Sequence, residues 1–177
     1  MMTKIIFSGF GGQGIMTLGQ IVASMAMQQE KQVAWMPSYG AEMRGGTANC
    51  SVVISDAPIG NPYVRADIDL LCALNTPSVD KFLSCVRPGG TVVINSALVT
   101  NTRPRADVNV ILVDATNIAI RAGNAKIQNM AMLGGLMRAV DLFTIEDVER
   151  ALEEMFRGKN PGLVSLNLAA VQQGIWN

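Results

Sequence analysis

The chain has 177 residues, 49 % hydrophobic and 16 % charged, with 14 Lys and Arg against 14 Asp and Glu and no histidine. That length suffices for one well-buried core, and the balanced charge excludes nucleic acid or an anionic membrane as the main partner, since both call for a basic surface. Without histidine the chain lacks the commonest general base and metal ligand, and every Ser-His or Cys-His pair.

Lys4 to Ser8 is a short apolar run that ends in glycines and predicts a buried strand. Gln13 to Gln28 predicts a helix that is apolar around most of its circumference, as in a core or under a partner. Gln32 to Met36 predicts a second strand, stopped by Pro37, and the β-branched run Ala48 to Ser55 predicts a third. Asp69 to Leu74 and Thr91 to Asn95 predict further buried strands. A helix around Ser78 to Cys85 and a turn at Arg87-Pro88-Gly89-Gly90 separate them. Val108 to Val113 predicts the last strand, followed by a helix near Ala115 to Ala122 and another from Lys126 to Val140. Thr144 reads as the N-cap of the next helix, with Asp147 near the positive end of its dipole and an apolar stripe of Ile145, Val148, Leu152 and Met155. Asn160-Pro161 opens a final helix whose expected apolar face is Leu163, Leu166, Ala170 and Ile175.

Apolar strands interleaved with helices predict an α/β fold of three layers, α/β/α, in which a mostly parallel sheet carries helices on both faces. Cys50, Cys72 and Cys85 have no short spacing and lie in or near apolar stretches, so they read as core thiols rather than ligands of zinc or an iron–sulfur cluster. No apolar run approaches the ~20 residues of a membrane span. No charged, apolar, then small-residue leader opens the chain, and a cytoplasmic location is expected. A charge content below the roughly 25 % of average chains implies a surface partly covered by another chain.

Gly9-Phe10-Gly11-Gly12-Gln13-Gly14 falls where the first strand passes into the first helix, and Gly9, Gly11 and Gly14 keep the spacing G-x-G-x-x-G. Glycines there permit a tight turn and close approach of a ligand, and the N–H groups of the helix start face an anion. Helix–sheet packing alone explains such a turn equally. A dinucleotide site also wants Asp or Glu about 20 residues on, to hold the ribose. Trp35-Met36-Pro37-Ser38 supplies neither, and no Gly-Lys-Ser/Thr follows the glycines, which excludes a P-loop.

The stretch Pro37 to Asn49 concentrates Tyr39, Glu42, Arg44 and glycines at 40, 45 and 46 between two apolar strands. If the second strand runs parallel to the first, this loop leaves the same carboxyl edge as the glycine turn, where ligands of open α/β sheets bind. Asn75-Thr76-Pro77 and Asn95-Ser96 end later strands and would join it there. Arg44 is suited to clamp a phosphate or carboxylate, or to pair with Glu42 and shape the loop.

Taken together, Gly9 to Gly14 and Ser38-Tyr39-Gly40-x-Glu42-x-Arg44-Gly45-Gly46 resemble the gamma-subunit family of 2-oxoacid:acceptor (ferredoxin) oxidoreductases. Val52-Val53-Ile54-Ser55-Asp56 and the Arg87-Pro88-Gly89-Gly90 turn extend the resemblance over most of the chain. It implies one Rossmann-like gamma-type domain over residues 1–177, in a hetero-oligomer that converts pyruvate, 2-oxoglutarate or 2-oxoisovalerate plus coenzyme A to acyl-CoA and CO2 and reduces ferredoxin. The related indolepyruvate oxidoreductases extend the substrate range to aryl 2-oxoacids. Thiamine diphosphate with Mg, and the iron–sulfur clusters, are expected on partner alpha and beta subunits and a ferredoxin-like delta subunit. This chain then has no catalytic or metal-binding residue of its own. Its matching positions are Gly9, Gly11, Gly12, Gln13, Gly14, Tyr39, Glu42, Arg44, Gly45 and Gly46, which the resemblance turns toward coenzyme A phosphates or the alpha chain. Two rivals remain: a stand-alone nucleotide- or NAD-binding oxidoreductase domain, and a purely structural subunit with empty loops.

Overall fold

Six strands form one mixed sheet in the computed structural model, which describes residues 1–39, 46–100, 105–160 and 162–176. They are β1 (Met2–Phe10), β2 (Gln32–Tyr39), β3 (Thr47–Ser55), β4 (Ile68–Ala73), β5 (Val86–Asn95) and β6 (Asn109–Val113), in the order β2-β3-β1-β4-β5-β6. Six helices join them: α1 (Ile15–Gln28), α2 (Thr76–Phe82), α3 (Ala115–Arg121), α4 (Gln128–Ala139), α5 (Ile145–Met155) and α6 (Gly162–Trp176).

The pairs β1–β4, β4–β5 and β5–β6 are parallel, whereas β3 runs antiparallel to both of its neighbours. All strands but β3 therefore point the same way, so the sheet is mostly parallel as expected, and β3 is its one antiparallel member. The reason is chain length. Residues 40–46 are too few for a parallel crossover, which needs about a dozen residues or more, so the chain must turn straight back.

Strand alternation divides the core. Ile5, Phe7, Leu70, Cys72 and Val93 face one side, where they pack with the buried residues of α1, α3, α4, α5 and α6. Ile6, Leu71, Ala73, Val92 and Ile94 face the other, which α2 and the 3-10 turn Leu83–Cys85 cover. Phe7, Leu18 and Leu70 are fully buried, a contribution of about 1.5–3 kcal/mol for each side chain. Cys50 and Cys72 lie in this core, where burial raises both thiols, that of Cys50 to about 12.

Several local expectations shift. Pro37 does not stop β2, which continues to Tyr39. This is an edge strand, where the missing N–H of a proline is tolerated. Arg87 to Gly90 lie inside β5 as an excursion between the pairs Ile68↔Val86 and Leu70↔Thr91, tied down by Gly89 N–H to Asp107 O at 2.6 Å. α5 opens with the expected Thr144 cap, closed into a capping box by Asp147. On α6 the fully buried residues are Asn167, Ala170, Val171 and Gly174; of the expected face, Ala170 is among them and Leu166 and Ile175 pack half-buried against the same core. Small residues win there because α6 meets α4 backbone to backbone. A Cβ on Gly134 would stand 2.1 Å from Val171 O, and one on Gly174 would stand 2.0 Å from Ala131 O.

Candidate functional site

The glycine turn closes β1 and opens α1. Gly12 has φ +98° and Gly14, the residue before the helix, has φ +76°, a left-handed conformation that costs a side-chain-bearing residue about 1–2 kcal/mol. No side chain caps α1 and no acidic residue sits in its first turn, so the positive end of the helix dipole is uncompensated by this chain's own described residues. Gly12 is exposed, and a Cβ there would meet nothing within 4 Å, which leaves open space at the turn. Gly14 is held from below: Asn129 of α4 donates from Nδ2 to its carbonyl at 3.2 Å, and a Cβ on Gly14 would lie 2.4 Å from that nitrogen.

Gln13 does not extend away from the turn. Its Oε1 accepts the Phe10 N–H at 2.6 Å and Asn75 Nδ2 at 3.4 Å, folding over Gly9, where a Cβ would stand 2.7 Å from that oxygen. Gly9 thus makes room for a neighbouring side chain, a role the spacing alone did not disclose. Asn75 lies two residues beyond β4 and caps α2, accepting from Ser78 N–H at 3.0 Å and Ser78 Oγ at 2.6 Å. Ser8 Oγ, at the end of β1, donates to Ser78 Oγ at 2.9 Å. Asn95 ends β5 and donates to Thr116 Oγ1 at 3.0 Å and Gln128 Oε1 at 3.3 Å. The carboxyl edge is therefore lined by neutral amides and hydroxyls.

The hairpin base meets the turn directly: Gly11 N–H donates to Gly46 O at 2.9 Å. Tyr39 ends β2 opposite Ala48, and Phe10 pairs with Thr47, so the ends of β1 and β2 and the start of β3 share one edge. Of the matching positions, Gly9, Gly11, Gly12, Gln13, Gly14 and Gly46 come together here, with the backbone of Tyr39 at the same edge. Glu42, Arg44 and Gly45 lie outside the described residues. Asn75 and Asn129 complete the cluster. The expectation that Asn75-Thr76-Pro77 joins the carboxyl edge foreshadowed the first, whereas nothing local marked the second, which is far along the chain from Gly14.

A dinucleotide fingerprint needs the second strand beside the first, with its acid at the ribose. Here β3 separates β2 from β1, and the last residues of β2 are Pro37, Ser38 and Tyr39. Among the described residues no three His, Cys, Asp or Glu side chains are grouped as a metal site, and no helix is long and apolar enough to cross a membrane. A concavity of about 660 Å³ between α3, α5 and α6, lined by Ile118, Arg121, Ile145 and Trp176, includes none of the turn residues and carries one cation, which lies 3.8 Å from Asp114.

Residues 4–176 match the model of the pyruvate ferredoxin/flavodoxin oxidoreductase family. The chain is 37 % identical over 155 residues to the 2-oxoglutarate synthase subunit KorC of Methanocaldococcus jannaschii, covering 86 % of this chain and 82 % of that one. It is 35 % identical over 172 residues to the ketoisovalerate oxidoreductase subunit VorA of Methanothermobacter marburgensis, and spans 35 % of that longer relative. Among solved structures, the gamma subunit of a keto/oxoacid ferredoxin oxidoreductase from Geobacter sulfurreducens superposes with a TM-score of 0.84 at 29 % identity, covering 99 % of this chain and 95 % of that one.

Proposed function

Because the chain belongs to the pyruvate ferredoxin/flavodoxin oxidoreductase family, we propose that residues 1–177 form the gamma-type domain of a multi-subunit 2-oxoacid:ferredoxin oxidoreductase. The assembled enzyme converts a 2-oxoacid and coenzyme A to acyl-CoA and CO2 and passes two electrons to ferredoxin. Thiamine diphosphate with Mg, and the iron–sulfur clusters, belong to the alpha, beta and ferredoxin-like partner chains, in keeping with a chain that has no histidine and no grouped metal ligands among its described residues. This domain packs against the catalytic chains and shapes the coenzyme A side of the site.

The observation that carries this reading is the joining of two loops. The Gly11 N–H bond to Gly46 O sets the glycine turn against the base of the 40–46 segment. The uncapped start of α1 then lies beside Gly46, the described end of the segment whose sequence carries Arg44. Relatives matched over 86 % and 89 % of this chain are named as subunits, which supports assembly with partners.

The test is an anaerobic affinity purification of the tagged chain from its native host, assayed for coenzyme A-dependent reduction of a viologen dye with a panel of 2-oxoacids. Larger subunits are expected to co-purify with activity on one 2-oxoacid. Arg44→Ala in that complex is expected to raise the KM for coenzyme A about tenfold, in line with loss of a charge-assisted hydrogen bond, or to weaken assembly. A complex whose activity ignores coenzyme A, with Arg44→Ala silent in both respects, overturns the reading.

A further inference from the structure

A cavity of about 600 Å³ opens at the amino end of the sheet, the end opposite the glycine turn. Thr3 of β1, Thr91 of β5 and Asn109 of β6 line it. Strand alternation puts them on the same face as Ile5, Val93 and Ile111, beside the end of α4. Thr3 is only 5 % exposed, yet its hydroxyl makes no hydrogen bond among the described residues. It is not sealed off either, since the one side-chain nitrogen or oxygen both buried and unpartnered among them is Trp35 Nε1. The Thr3 hydroxyl therefore turns into the cavity, at a strand position where valine would fill the same space without a polar group. The Thr91 hydroxyl makes no such bond either. Asn109 donates from Nδ2 to Gly89 O at 3.2 Å, which leaves its Oδ1 as an acceptor.

The wall is rich in acceptors. Arg87, its one cationic side chain, is engaged by Asp69 Oδ1 at 2.6 Å, and Asp69 Oδ2 accepts the Lys4 N–H at 2.7 Å. Asp141 adds a carboxylate just past Ala139, where α4 presents the negative end of its dipole. Thr91 pairs with Asn109, whereas Thr3 lies on β1, two strands from β5, because β4 pairs with both. The free oxygens thus stand at two points on the order of 10 Å apart. We propose that this cavity binds an aliphatic diamine, one ammonium at the Thr3 hydroxyl and the other at Thr91 and Asn109, with Asp141 as countercharge. An ammonium has N–H donors and no acceptor, which suits oxygens left without a donor. The alkyl stem suits Val140 and Leu142 in the same wall, and the volume falls in the range of about 300–1,000 Å³ common to small-ligand sites. An anion is disfavoured, because Arg87 is already paired and Asp141 would repel it. The site stands apart from the coenzyme A reading given above.

The test is a titration of the isotope-labelled full chain with putrescine at constant ionic strength, followed by amide NMR shifts. The shifts are expected to cluster at Thr3, Thr91, Asn109 and Asp141 and to saturate. Thr3→Val and Asp141→Asn are each expected to weaken binding about three- to tenfold. Glu153→Gln, which removes an exposed carboxylate on α5, should leave it unchanged. The hexamethylated, bis-quaternary analogue keeps both charges and the stem but has no N–H, and should bind about tenfold more weakly or less. If Thr3→Val fails to fold, Thr91→Val takes its place, with the same loss expected. Equal binding of the quaternary analogue overturns the proposal and reduces the effect to charge alone. Saturable shifts at these residues with succinate in place of putrescine overturn it as well, by reversing the sign of the ligand. Shifts that never saturate, or an affinity that the folded Thr and Asp141 variants leave untouched, overturn the site itself.

Discussion

Asp147 is a carboxylate only 4 % exposed, at the start of α5. Burial pushes its carboxyl up. The Thr144 N–H at 2.9 Å, Gln29 Nε2 at 2.9 Å and the Arg150 guanidinium outweigh that penalty and hold it below the ordinary carboxylate range. A folded-state value below the unfolded one means that the group stabilises the fold above about pH 4 and loses that contribution as pH falls through the folded value. Asp147→Asn should therefore cost about 1–3 kcal/mol at pH 7. In thermal melts from pH 7 to pH 3 the gap between wild type and variant should narrow, and a constant gap would refute the assignment. Thr144 and Asp147 were legible in the sequence because a capping box is local. Gln29 was not, because it reaches the same carboxylate from the end of α1, 118 residues away. The same division holds at the glycine turn. Its spacing announced a tight bend, but the contacts that orient Gln13 come from Asn75, and those beneath Gly14 from Asn129.

The crossing of α4 and α6 shows the same limit for whole elements. Both helices could be predicted from capping and apolar content, but not the face they share, because the contact is made by what is missing from Gly134 and Gly174. Of the expected stripe Leu163, Leu166, Ala170 and Ile175, only Ala170 is fully buried, because close approach of the two backbones puts small residues at the centre of the contact and leaves Leu166 and Ile175 at its flanks. Gly134→Ala and Gly174→Ala should each destabilise by about 2–3 kcal/mol, as overpacking does. The double variant should fall short of their sum, because either methyl already separates the helices. Urea midpoints measure both effects. Gly60→Ala, where a Cβ meets nothing, should stay within about 0.5 kcal/mol of wild type. The reversal of β3 was implicit in the short 40–46 segment, whereas the passage of β2 through Pro37 needed knowledge that β2 lies at an edge.

For the whole molecule, composition was the surest guide to class and the poorest guide to arrangement. Alternating strands and helices established a layered α/β architecture, yet five helices gather on one face of the sheet and α2 stands on the other. Such imbalance depends on which crossovers pass over which face, information spread across the entire chain. The parts of the edge that the sequence marked, the glycine turn and the end of β2, do meet, and the Gly11–Gly46 bond ties them. The amide relay behind them became visible only once β1 and β4 were neighbours.

The glycine crossing also dictates an order of events during synthesis. α4 cannot be sealed until the ribosome has released α6, so a nascent chain that ends before Gly162 holds its central helix with one flank bare. Because β1, β4, β5 and α1 can already collapse by then, that species should be a compact, dye-binding intermediate rather than a random coil. A chain truncated after Lys159 is expected to bind ANS and keep its far-UV signal while losing near-UV ellipticity. Full near-UV structure in the truncated chain would show that the sheet completes its packing without the final helix.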